Sequence, residues 1–183
     1  MNTLMRNEAG KTAVTIQEQI GQYLTFLVEK ESFAINIRDV KEILEVTNIT
    51  RVPLTPDYIY GVINLRGNVA PVIDLSARLK HRIAEISKFS CIVLVDVGNQ
   101  EAAQLVGMLV DEVRDILEIP SVNIRAAPDF GSNIRTDFIK AMACVDELFI
   151  ILLDIYRVLS LEELSQLSQL AGHQDQQTAL TAD

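Results

Sequence analysis

The stretch GVINLRGNVAPVIDL, residues 61–75, decides the fold. Two apolar runs, VINL and VAPVIDL, flank Arg66-Gly67-Asn68, which reads as a β-hairpin carrying one arginine at its tip. Gly67 supplies the positive φ that such a turn needs. Pro71 has no N–H to give a ladder, and so marks the returning strand as an edge or bulged one. A turn arginine is by itself an ordinary solvated residue. Arg66 draws interest from the segments around it.

The hairpin occurs twice. Displaced by 80 positions (Asp154 minus Asp74), YIYGVINLRGNVAPVIDL falls on FIKAMACVDELFIILLDI, with the apolar positions and the closing Asp preserved. The Arg66-Gly67 tip becomes Asp146-Glu147. Upstream, at an offset of 73 (Val113 minus Val40), VKEILEV at 40–46 falls on VRDILEI at 113–119, and the loop 124–135 absorbs the difference. The chain thus holds two copies of one β-unit, with cores at roughly 38–75 and 91–155. Each is about 60 residues, a size at which a lone domain is marginal, so the copies are expected to pack together and share a core.

Composition agrees. The chain has 183 residues, 49% of them hydrophobic, enough for one globular body or two intimately packed subdomains. No apolar run reaches the roughly 20 residues of a membrane span, and the N-terminus has no charged-then-apolar leader pointing to export. Cys91 and Cys144 lie inside apolar runs and read as buried free thiols of a reducing cytoplasm. The net charge is −9, of which −4 falls in residues 161–183, where Glu162, Glu163, Asp175 and Asp183 stand without Lys or Arg. An acidic chain lacking a basic cluster and tryptophan is poorly suited to nucleic acid or anionic lipid.

Residues 1–20 are polar and aperiodic and read as a mobile arm ahead of a domain over 21–164. Leu24, Phe26 and Val28, then Phe33, Ile35 and Ile37, alternate about a turn at 29–32 and predict a second hairpin. Residues 38–44 carry apolar positions at helical spacing and predict a helical turn leading into a strand. Thr55-Pro56-Asp57 reads as an N-cap opening a short turn, and Asp74 as the cap of a helix over 75–80. Residues 91–97 and 105–110 predict strands about Gly98-Asn99, and the continuous apolar run 149–153 a strand covered on both faces. Ser160 with Glu163 forms a capping box for a C-terminal helix over about 161–170. Its leucines at 161, 164, 167 and 170 drift around the helix, a packing or partner surface rather than a coiled-coil seam. The remainder, to 183, has the composition of a disordered acidic tail.

Catalytic constellations are missing. His81 and His173 sit in no triad or HExxH pattern, and the chain lacks GxGxxG, a P-loop, GxSxG and CxxC. The carboxylates of VKEILEV and VRDILEI stand beside basic residues and read as solvated ion pairs. An enzyme is not expected, and no metal or cofactor is implied.

The succession VKEI (40–43), RVPLTPDYIYGVINLRGNVAPVIDL (51–75), VGMLVDEVRDIL (106–117) and IRAAPDF (124–130) resembles the CheW family, the coupling proteins of bacterial chemosensory arrays. The likeness runs from about Tyr23 to Leu164. It implies a mainly β fold of two packed five-stranded SH3-like barrels with short helices, and no enzymatic activity. It implies a cytoplasmic adaptor that links methyl-accepting chemoreceptor tips to a CheA-type histidine kinase and is recruited to receptor clusters at the inner membrane. Carried over by motif, the receptor groove between the barrels takes Val40, Glu42, Arg66, Ile92, Val113 and Ile116. Kinase contact and array assembly take Arg125, Asp129 and Phe130. A helical receptor tip needs apolar anchors plus a charge that fixes register, which this set supplies.

The sequence leaves open the receptor, the kinase, and whether the pathway drives flagella, pili or another output. A coupling paralogue of another chemosensory system is the nearer alternative. A nucleic-acid-binding barrel is the distant one, since small barrels often serve that use, but it needs a basic face that this chain lacks.

Overall fold

The computed structural model describes residues 19–101, 103–128, 137–158 and 163. Among the described residues, eleven strands form two sheets. The five-stranded sheet contains β3 (Val40–Glu45), β4 (Ile59–Leu65), β5 (Asn68–Asp74), β6 (Cys91–Asp96) and β7 (Leu105–Val110), in the order β3-β6-β7-β5-β4. The other contains β1 (Ile20–Val28), β2 (Glu31–Asn36), β8 (Glu112–Pro120), β9 (Ile124–Arg125), β10 (Ile139–Val145) and β11 (Leu148–Leu153), in the order β8-β1-β2-β11-β10-β9.

These two orders are the same order. Replacing β3, β6, β7, β5 and β4 by β8, β1, β2, β11 and β10 converts one sheet into the other, down to the parallel pairs β5–β7 and β11–β2. Irregularities match as well: β3 bulges after Val40 and β8 after Val113, while the hairpins slip between Ile59 and Gly61 and between Ile139 and Ala141. Each sheet closes on itself through its first strand. Beyond β3 the chain returns to pair Thr50 with Val62 of β4, and beyond β8 it returns as β9 to pair with β10. Two barrel-like units result, as the repeat and the family resemblance imply.

The units are not divided along the chain as the repeat suggests. β6 and β7, expected in the second copy, complete the first unit, and the N-terminal hairpin β1–β2 takes their place in the second. The chain therefore closes its last unit with its first strands.

Turn chemistry explains the hairpins. Glu29-Lys30, Arg66-Gly67 and Asp146-Glu147 all have positive φ at both turn residues, the type I′ pattern that matches strand twist. Pro71 needs a different account from the one its sequence suggests, because β5 is flanked by β4 and β7. Opposite Pro71, Val62 exchanges both of its backbone hydrogen bonds with Thr50, and pairing with β7 begins only at Val72. No partner asks Pro71 for a hydrogen bond, so an inner strand tolerates it.

Asp74 caps α1 (Leu75–Lys80): its Oδ1 accepts from the Ala77 N–H at 3.1 Å and its Oδ2 from the Ala84 N–H at 2.8 Å, which satisfies a wholly buried carboxylate. Thr55 makes a turn but not a cap, since its hydroxyl donates to the Val52 carbonyl at 2.9 Å. The helical turn expected over 38–44 is a single 3-10 turn at Ile37–Asp39, and Val40 onward is strand. Cys91 and Cys144 are free and half-buried rather than buried. The C-terminal helix falls outside the described residues except for Glu163, which is helical.

Three apolar clusters hold the molecule. Ile63, Val72, Ile92, Leu94 and Leu109 fill one barrel, and Ala34, Ile119, Ala143, Ile150 and Leu152 fill the other. The largest lies between them, built from Phe26, Val28, Phe33 and Ile35 on one side and Ile73, Val93, Val95 and Met108 on the other. Burying so much of each unit against its neighbour is what makes two marginal units stable together.

Candidate functional site

The repeat places equivalent outer strands, β3 and β8, at the margin of the shared core. Val40 and Val113 stand at matching positions, each just before its strand's bulge, and both are half-buried against that core, one from each unit. Next to them Ile43 and Ile116, again equivalent at an offset of 73, are 43% and 55% exposed. An isoleucine open to solvent beside a half-buried valine thus occurs on both strands. Ile43 lies inside the VKEI motif but is not among the residues the sequence singles out. Its exposure becomes visible only once β3 is known to be an edge strand.

Charge enters from the hairpin tip. The Arg66 guanidinium lies 3.8 Å from a Glu42 carboxylate oxygen, too long for a hydrogen bond but within ion-pair range. The Arg66 side chain remains 88% exposed and that of Glu42 44%. The turn is held from below by the Asn64 carboxamide, whose Oδ1 accepts from the Gly67 N–H at 2.9 Å. Glu42 therefore steers the arginine by charge while leaving its donor fork accessible, the form in which arginine recognises carboxylates.

One of the expected assignments changes. Ile92 is 1% exposed inside the first barrel, so it cannot line a groove wall. A Cβ added at Gly107 would meet its Cγ2 at 2.7 Å, which shows how tightly that position is filled. Arg125 lies on β9, exposed and paired with Met142, apart from the Val40–Arg66 cluster on the other sheet. Asp129 and Phe130 lie outside the described residues.

Nothing in the sequence flags Arg78. Its side chain is 9% exposed and joins the two repeats: Nε donates to the Val158 carbonyl at 2.7 Å, and Nη2 to the Glu163 carboxylate at 2.8 Å. The ring centroids of Tyr58 and Phe138 lie 4.5 and 4.9 Å from the guanidinium carbon. Tyr58 and Phe138 are repeat-equivalent, 80 residues apart, as are positions 78 and 158. Arg78 is thus a clamp at the junction, a structural role rather than a catalytic one.

Both units, and every residue of the Val40–Arg66–Val113 edge, fall within one family match. The CheW-like domain family matches residues 22–163. The chain belongs to the CheW family. It is 33% identical over 155 residues to the chemotaxis protein CheW of Klebsiella aerogenes, covering 84% of this chain and 91% of that one. With the chemotaxis protein CheW of Rhizobium meliloti it shares 35% over 142 residues, 78% of this chain and 89% of the other. The crystal structure of the scaffolding protein CheW from Thermoanaerobacter tengcongensis superposes with a TM-score of 0.70 at 30% identity, over 81% of this chain and 94% of that one. No helix among the described residues is long and apolar enough to cross a membrane.

Proposed function

We propose that this CheW-family chain is a non-enzymatic adaptor that couples chemoreceptor cytoplasmic tips to a CheA-type histidine kinase. It acts in the cytoplasm, at receptor clusters on the inner membrane. The observation that carries the reading is the Arg66–Glu42 pair at 3.8 Å, on the strand whose Val40 packs against the shared core that Val113 of the other unit also meets. A receptor tip is helical. Its apolar face lies on the valines and isoleucines, and its acidic or carbonyl groups meet the guanidinium, which fixes register. Ile43 joins this set in place of Ile92.

Kinase contact and array assembly fall to Arg125, on β9 and away from the Arg66 hairpin, with Asp129 and Phe130 after it in the sequence. Separate surfaces allow one adaptor to hold both partners at once, which is the requirement for coupling. Co-purification from the native cell tests the reading: the tagged chain brings down a histidine kinase and receptors together. Recovery of neither, with the chain folded and expressed, contradicts it.

A further inference from the structure

We propose that a groove on the second barrel is the docking site of this chain's own C-terminal segment, running on from Glu163. The groove has a volume of about 730 Å³ and lies where α1 and the β1–β2 turn meet the β10–β11 hairpin. Its outer lip is Leu148 and Phe149, 70% and 64% exposed, with Met142 behind them. The lining also carries Lys30, together with Lys80 already paired to Glu31. Neighbouring apolar side chains left this open mark a surface that something covers.

Three observations name the occupant. Arg78 belongs to the groove wall and at the same time holds the Val158 carbonyl and the Glu163 carboxylate, so the chain is already at the wall when it passes residue 163. The segment beyond Glu163 has the right chemistry: Leu164, Leu167 and Leu170 for the apolar lip, then Asp175 and Asp183, with no Lys or Arg, for Lys30. The reach is sufficient. Twenty residues remain after Glu163, about 30 Å even if wholly helical, against about 20 Å for a six-residue strand such as β11. The groove shares no residue with the Val40–Arg66–Val113 surface, so this inference stands or falls independently of the receptor reading.

Methyl NMR on three proteins tests it: the full chain, a chain ending at Glu163, which keeps the Arg78 clamp, and a full chain with Leu164, Leu167 and Leu170 all changed to Ser. Met142 and Leu148 methyl resonances are expected to shift in both altered proteins, while those of Ile43 and Ile116 stay in place. A peptide of residues 164–183 added to the shortened chain is expected to return the Met142 and Leu148 signals toward their full-chain positions. Identical Met142 and Leu148 signals in the full and shortened chains overturn the proposal. So does movement of those signals with the concentration of the full chain, which makes a second copy the occupant.

Discussion

Replacing Arg66 separates folding from recognition. At 3.8 Å the attraction to Glu42 is about 1 kcal/mol in water. Screening and the ordering of two long side chains reduce an exposed pair to about 0–1 kcal/mol. Alanine at position 66 meets the same positive φ as arginine, so the turn itself is unchanged in cost. For a chain of 183 residues, Arg66→Ala is therefore expected to lower the melting temperature by no more than about 4 °C. Receptor-tip affinity is expected to fall about tenfold or more, which corresponds to about 1.4 kcal/mol, the scale of one charge-assisted hydrogen bond. Arg66→Lys keeps the charge and removes the planar fork, and is expected to bind nearly as poorly as alanine. Calorimetric titration of a soluble receptor tip, beside thermal melts of each variant, reads both quantities. Normal binding by the lysine variant with failure of the alanine variant refutes the reasoning, because charge alone would then suffice.

Arg78→Ala removes a buried charge that holds Val158 and Glu163, and is expected to cost about 3 kcal/mol, or roughly 6–12 °C in melting temperature. Gly61→Ala places a Cβ 2.3 Å from the Thr50 carbonyl oxygen and is expected to destabilise by about 1–3 kcal/mol in denaturant melts, whereas its repeat equivalent already is Ala141. Burial, opposed by Lys140, raises the Asp39 carboxyl above its ordinary value, so the folded state holds its proton more tightly than the unfolded chain does. Stability contributed by Asp39 is then lost as pH rises from the ordinary carboxylate value through the raised one. The melting-temperature gain of Asp39→Asn over the natural chain is expected to grow across that interval and to level off above it.

Much of the fold was legible because hairpins are local. Alternation marked β1–β2, the Asp74 cap marked α1, and the offset of 80 matched the hairpins β4–β5 and β10–β11. The partition of strands between units was not legible. A repeat records which segments are alike, while pairing depends on which hairpin completes which unit, and β1–β2 completes the far one. Pro71 misled for a related reason: the hydrogen bond it cannot make is one that Thr50 takes up from across β4. At the site, Glu42 and Arg66 could be brought together only through motif resemblance, and the ion pair is there at 3.8 Å. Ile92 failed because a strand inside a barrel and a strand lining a groove have the same apolar pattern. Arg78 was hidden because a single arginine on a short helix carries no signal of the two rings, 80 residues apart, that lie near it.

The adaptor account rests on two surfaces that act separately, and Val113→Lys tests this most directly. Val113 is half-buried at the margin of the shared core, so a lysine ammonium can reach water past the edge of β8 while spoiling the apolar wall. Binding of the variant to a receptor tip and to the kinase regulatory domain is measured side by side, with a thermal melt to confirm folding. Receptor affinity is expected to fall at least tenfold while kinase affinity stays within about twofold, because an unpaired charge against an apolar face costs several kcal/mol. Undiminished receptor binding, or equal loss of both partners by a folded variant, contradicts the account.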